Sequence, residues 1–487
     1  MAATERQHAR VDGAQEPVQW ESCSPREQLD VSLTFLLFGM SMLAPFNTLV
    51  TASEYFRDAF STSPALASGF NSGLMFVYNA ASVLFSVLAT LSGGRKGLDI
   101  PRRIQGALQL LIGTSVFVIG TVLLRPSEGV RFPYAYFALL LVIACVYAAG
   151  VSYFQNAAMG MAAKLGVRGK FVALVFSGQG IQGVLVSAVN LVSVWLASGS
   201  GEQDPPNVAA DKNRQVTLLL FVSTLALLAV TYVLLLRTQK GRFITAHGRP
   251  DAAEVASSGA ESQTFDRQAW DTIVRVQKAI LPWSFTILYV FAITLAVYPS
   301  LTSLVRTVHG ASSPLQNASL FVGIGFLAFN GADLLGRHLP GLSSALVLRR
   351  GALLVASALA RTLLIPALLA CNLVWPGSPS ASRAGWRLPD SAFFALLVVL
   401  GVTNGWLATS TMMTGPEVAS TAHMLRSERL PTHEPTDGAE DEQQLLGADG
   451  STGQSHDSAV AAMLLSFELV LGLTVGSLGG FALLAIA

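Results

Sequence analysis

The stretch Phe329-Asn330-Gly331-Ala332-Asp333-Leu334-Leu335-Gly336-Arg337-His338-Leu339-Pro340 closes an apolar run that reaches back to about Leu320. The run is long enough to approach a membrane span, yet it holds an acid and a base four residues apart. On a helix, that spacing places Asp333 and Arg337 on one face, within pairing reach. An ionisable group at membrane depth costs about 2.5–3.5 kcal/mol on insertion scales, so a pair of them is expected to face another helix or a water-filled path rather than lipid. The alternative is that Arg337 marks the end of the helix at the water and Asp333 merely neutralises it.

Composition agrees with a membrane setting. The chain has 487 residues, 52% hydrophobic and only 13% charged, with a mean hydropathy of +0.51. Apolar runs of span length recur from one end to the other, as in a polytopic helical membrane protein. The formal net charge of +1 argues against a nucleic-acid partner. Cys23, Cys145 and Cys371 are too few and too scattered for a disulfide framework, and no Cys/His cluster has metal-ligand spacing. Residues 1–30 are polar and without an apolar core, so no cleaved signal peptide is expected.

Eleven spans are expected, at about 31–51, 69–92, 104–124, 135–160, 171–197, 216–236, 281–303, 317–338, 351–374, 392–413 and 459–484. Alternate connections test this reading independently. Those on the side of the N-terminus hold 22 of the 31 lysines and arginines, those on the opposite side hold 8, and Arg361 lies inside span nine. Such a bias places the N-terminus in the cytosol, and an odd span count then places the C-terminus outside.

The chain thus divides into a cytosolic tail (1–30), a first bundle of six helices (31–236), a cytosolic linker (237–280) and a second bundle of five (281–487). The linker is basic, then rich in Ala, Ser and Glu, and is expected to be largely disordered. A second cytosolic loop, 415–458, is acidic and polar, and its Asp441-Glu442-Gln443-Gln444-Leu445-Leu446 has the form of an acidic dileucine sorting signal. The expected location is the plasma membrane, with a vacuolar or endolysosomal membrane as the alternative.

Polar residues are scattered singly through the spans. Pro45 interrupts the ladder of span one, so Asn47 can reach a freed carbonyl or a ligand. Span five opens Ser177-Gly178-Gln179-Gly180-Ile181-Gln182-Gly183, where glycines clear space around an amide able to read donors and acceptors of a polar solute; glue between helices is the alternative. Span nine carries Arg361, span ten Thr403 and Asn404, and span eleven Glu468. A lone intramembrane glutamate can carry a proton, or can pair with Arg361 and hold two helices together. No nucleophile elbow, HExxH motif or P-loop is present, so neither an enzyme nor an ATP-driven pump is expected. Scattered polar residues suit a solute path better than a reactive centre.

Five pieces, in order, resemble the equilibrative nucleoside transporter family (solute carrier 29 type). They are Pro45-x-Asn47 with Thr51-Ala52-Ser53-Glu54-Tyr55-Phe56; Ser177-Gly178-Gln179-Gly180; Asn330-x-x-Asp333-x-x-Gly336-Arg337; Arg361-x-x-x-x-Pro366 leading to Cys371-Asn372; and Asn404-Gly405-x-Leu407-Ala408 with Gly415-Pro416.

The resemblance implies an all-α, major-facilitator-like fold of six plus five helices. It also implies facilitated diffusion of nucleosides such as adenosine and uridine, or of nucleobases, by alternating access, without a cofactor. Carried over residue by residue, the substrate contacts are Leu43, Phe46 and Asn47, then Gln179, then Asn330, Asp333 and Arg337. Gln179 would read the base, and Asp333 and Arg337 would engage the ribose or the adjoining gate. Arg361, Asn404 and Glu468 are candidates for gating or proton coupling. The family usually has Trp where this chain has Phe46, so a stacking face survives without the indole donor. Glu468 and the acidic loop 415–458 also depart from the family pattern, and a proton-coupled transporter of nucleosides or another polar solute is the alternative reading. The expected partners are substrate and membrane lipid, the expected state a monomer.

Overall fold

The computed structural model describes residues 19–58, 60, 63–93, 99–124, 132–199, 206–247, 267–309, 313–374, 387–427 and 439–486. Among them, eleven helices are long and apolar enough to cross a membrane. They are α1 Pro25–Thr51, α2 Pro64–Gly93, α3 Ile100–Leu124, α4 Pro133–Lys164, α5 Lys170–Gly199, α6 Pro206–Thr238, α7 Leu281–Val297, α8 Ala318–Leu342, α9 Gly351–Leu369, α10 Asp390–Ser427 and α11 Ala439–Ile486. The expected all-α class and span count therefore hold.

Helix starts follow local chemistry. Ser24 caps α1, its hydroxyl accepting from the Glu27 amide, and Pro25 follows at the first helical position. Asn317 caps α8, its side-chain oxygen accepting from the Ser319 and Leu320 amides at 3.1 and 3.2 Å. Proline acts differently at different places. Helix α1 runs through the buried Pro45 to Thr51, but α9 tightens into a 3-10 turn at Arg361–Leu363 before resuming. Pro366 supplies the reason: it has no N–H for the carbonyl of Thr362.

Within the first bundle α1 packs on α5, α6 and α4, α2 on α4, and α3 on α4 and α6; within the second, α8 packs on α10, and α7 on α11, α10 and α9. Two seams join the halves: α5 against α8 and α10, and α11 against α4 and α2. The α1–α5 and α8–α10 crossings are close because glycines face backbone. A Cβ on Gly178 would lie 3.0 Å from the Met40 amide nitrogen and nearer still to the Leu36 carbonyl. One on Gly405 would lie 2.7 Å from the Arg337 amide nitrogen and nearer still to the Asp333 carbonyl oxygen.

The two long connections differ from expectation. Helix α10 continues past Gly415-Pro416 to Ser427, and α11 begins at Ala439, so 415–458 is helical at both ends rather than a loop. These extensions leave the apolar layer, where a helix needs no continuous hydrophobic stripe, and hydropathy does not report them. The Pro416 carbonyl accepts from Ser458 Oγ at 3.1 Å, which ties the two extensions together. The side chains of the dileucine hexamer lie outside the described residues. The 237–280 linker likewise holds two helices, Arg242–His247 and the amphipathic Arg267–Ala279. The second buries Ala269, Ile273 and Val276, while 248–266 lies outside the described residues.

Candidate functional site

Asp333 and Arg337 are 5% and 6% exposed, and Arg337 Nε donates to Asp333 Oδ2 at 2.6 Å. Because both stand on α8, this ion pair joins no two helices. From this pair, the contact with the first bundle is made by the rest of the guanidinium. Its Nη1 donates to Gln179 Oε1 at 3.0 Å and to the Phe176 carbonyl at 3.2 Å, both on α5, and the group lies 5.1 Å over the Phe176 ring. Gln179 Nε2 in turn approaches Met42 Sδ of α1 at 3.6 Å. Glycine makes this possible, since a Cβ on Gly180 would meet the Arg337 side chain at 3.0 Å.

On the other side of the pair, Asn404 Nδ2 of α10 donates to Asp333 Oδ1 at 2.7 Å. Thr294 Oγ1 of α7 lies 2.8 Å from Asn404 Oδ1, and Arg361 Nη2 of α9 donates to Thr294 Oγ1 at 2.6 Å. One hydrogen-bonded chain therefore runs from α5 through α8, α10 and α7 to α9. Both Asp333 oxygens have donors, which a buried carboxylate requires. The structure thus brings together Gln179, Asp333, Arg337, Asn404 and Arg361.

The other candidates lie apart from this chain. Asn330, one turn earlier on α8, has its Nδ2 within 2.7 Å of Ser187 Oγ, 3.0 Å of the Tyr298 hydroxyl and 3.0 Å of the Phe326 carbonyl. Tyr298 stacks on Phe329 at 3.9 Å. Leu43, Phe46 and Asn47 are half-buried on α1, and the Phe46 ring lies 4.6 Å from that of Tyr78 on α2. Glu468 does not pair with Arg361, which corrects the expectation of an α9–α11 ion pair. Its Oε1 accepts from Gln277 Nε2 of the linker helix at 2.7 Å. Arg361 instead meets hydroxyls and a carbonyl: Thr294, Thr403 and, at 3.1 Å, the Leu400 carbonyl. Sequence reading passed over Thr294, Ser187 and Tyr298. A single hydroxyl within an apolar run carries no signal of the partner it meets across the bundle.

Residues 141–427 match the family model described as Nucleoside transporter. The chain is 23% identical to equilibrative nucleoside transporter 3 of Rattus norvegicus, over 79% of this chain and 81% of the relative. It is 22% identical to equilibrative nucleoside transporter 2 of Homo sapiens, over 93% and 97%. Among solved structures, a proton:xylose symporter of the major facilitator superfamily bound to 6-bromo-6-deoxy-D-glucose aligns with a TM-score of 0.51 and 16% identity, covering 94% of this chain and 93% of that one. That likeness places the chain in the major facilitator fold.

Proposed function

Since the chain belongs to the nucleoside transporter family, we propose that it carries nucleosides across a membrane by facilitated diffusion, its two bundles rocking about the buried Asp333/Arg337 site. The observation that carries this reading is the division of labour around Arg337. Its charge is neutralised within α8 by Asp333, while its bonds across the bundle interface go to neutral acceptors on α5. Hydrogen bonds to a charged group are worth about 1.5–3 kcal/mol each, so these two add to the hold between the halves at this site without a prohibitive cost of parting. A nucleoside brings ribose hydroxyls that accept from the same guanidinium. Substrate thereby replaces the α5 acceptors as the bundles separate, and no bare charge is left buried at any stage.

In this reading Gln179 meets the base, Asp333 and Arg337 the ribose, and Phe46 with Tyr78 supplies the stacking face. The lysine and arginine bias supports an N-terminus in the cytosol and a C-terminus outside, and the plasma membrane is the proposed location. At the face bearing the N-terminus, contacts cross the bundles through Asn156 Nδ2 to the Met463 carbonyl at 3.3 Å and Gln155 Nε2 to Ser466 Oγ at 3.1 Å.

Proton coupling is not favoured. Glu468 is held by Gln277, outside the chain that contains Asp333 and Arg337. Purified protein in liposomes is expected to take up labelled adenosine and uridine saturably. An imposed pH gradient should leave the rate unchanged, and Glu468→Gln should stay within about twofold of wild type. An absence of saturable uptake would overturn the function, and gradient-driven accumulation would restore the coupled alternative.

A further inference from the structure

Arg361 is 3% exposed, and among the described residues its guanidinium meets hydroxyls and a carbonyl rather than a carboxylate. A guanidinium only donates. Thr294 Oγ1, already accepting from Nη2 at 2.6 Å, has one hydrogen to pass on and two oxygens within reach, Asn404 Oδ1 at 2.8 Å and the Val290 carbonyl at 2.7 Å. The Val290 carbonyl lies one turn back on the same helix, whereas Asn404 Oδ1 faces Thr294 across the bundle. Only the Asn404 setting continues the chain, because Asn404 Nδ2 then donates onward to Asp333 Oδ1. Direction is fixed at both ends: a pure donor stands at one, a carboxylate acceptor at the other. Reversing the Asn404 amide would set its oxygen against that of Asp333.

We propose that Arg361 is a positioning residue for Asp333, acting through Thr294 and Asn404 to fix how the carboxylate is presented to Arg337 and substrate. Thr294, Asn404 and Asp333 are as buried as Arg361, which limits replacement of a lost link by bulk water. The backbone is shaped for the reach, since α9 tightens into its 3-10 turn at Arg361–Leu363, the point from which the side chain extends to α7 and α10. When Arg337 exchanges its α5 acceptors for substrate, Asn404 still holds Asp333 Oδ1, so Oδ2 keeps its place through both halves of the cycle. This rests on the reading of Asp333 and Arg337 as the transport site.

The test removes one hydroxyl at constant volume. Thr294→Val is expected to lower the Vmax/KM of adenosine uptake about tenfold, the loss of roughly one charge-linked hydrogen bond, and Thr294→Ser to restore it to within about twofold. Adding Thr294→Val to Asn404→Ala should cost nothing further, because the relay is already cut. A second cycle needs no transport: thermal unfolding of purified Thr294→Val, Asp333→Asn and the double variant should show shifts that fall short of adding. Wild-type uptake by Thr294→Val, failure of the serine to rescue, or additive shifts would each overturn the relay. A wild-type protein without nucleoside flux would remove the function instead, and the thermal cycle would still decide the relay.

Discussion

Arg337→Ala protein is expected to reach the membrane and to take up nucleosides at least a hundredfold more slowly than wild type. Truncation removes the sole donor to Asp333 Oδ2 among the described residues and both bonds to α5. Breaking a buried pair by deleting one member costs about 3–5 kcal/mol, because the remaining charge is left without compensation, and each 1.4 kcal/mol is tenfold in an equilibrium. Asp333→Asn is expected to fail as badly for the converse reason: Arg337 is then buried without a counter-charge. Arg337→Lys should also lose most uptake, since an ammonium cannot reproduce the planar fork that addresses Asp333, Gln179 and the Phe176 carbonyl from fixed directions. Initial rates normalised to the surface-labelled protein provide the measurement. Full uptake by both Arg337→Ala and Asp333→Asn would reduce the pair to a packing element.

The second large effect lies in the backbone contact that presents the pair. Gly405→Val places side-chain carbon where the Asp333 carbonyl and the Arg337 amide now lie, so α8 and α10 must separate at the site. Overpacking in an adaptable core costs about 1–3 kcal/mol, but here the obstruction is backbone against backbone, with no side chain to turn aside. The expected result is loss of monodisperse protein after detergent extraction, or a fall in unfolding temperature of more than about 5 °C, together with loss of uptake. Gly331→Ala is the matched control. It lies on α8 too, but a Cβ there meets nothing within 4 Å, and alanine is the better helix former by about 1 kcal/mol. It should unfold no lower than wild type. A Gly405→Val protein as stable as Gly331→Ala would contradict the close crossing described for α8 and α10.

The two effects rest on features of unequal visibility in the sequence. Asp333 and Arg337 are legible because charge is rare within apolar runs, and a spacing of four fixes a common helical face whatever the tertiary structure. Gln179, Asn404 and Arg361 are legible for the same reason of rarity. What each of them meets is not, because partners across a bundle are set by helix rotation and crossing, which a single sequence does not encode locally. The pairing of Glu468 with Arg361 illustrates this: opposite charges in the membrane suggested each other, yet threonines take up the arginine and a linker glutamine takes up the acid. The helical ends of 415–458 were hidden for a different reason, since a helix in water carries no apolar span to mark it. In the proposed cycle the ion pair, which lies within α8, stays whole, and the bonds from Arg337 to α5 are among those that part.

The central claim is that one buried site, closed by Arg337 against α5, serves both sides of the membrane in turn. Counterflow tests it most directly. Liposomes holding the purified protein are loaded with unlabelled adenosine and diluted into a trace of labelled adenosine, with no ion or pH gradient. The account predicts transient accumulation of label above its equilibrium level, because a carrier emptied outside returns loaded, and predicts none for Arg337→Ala. Label that only approaches equilibrium in the wild-type protein, as through a pore or leak, would contradict it.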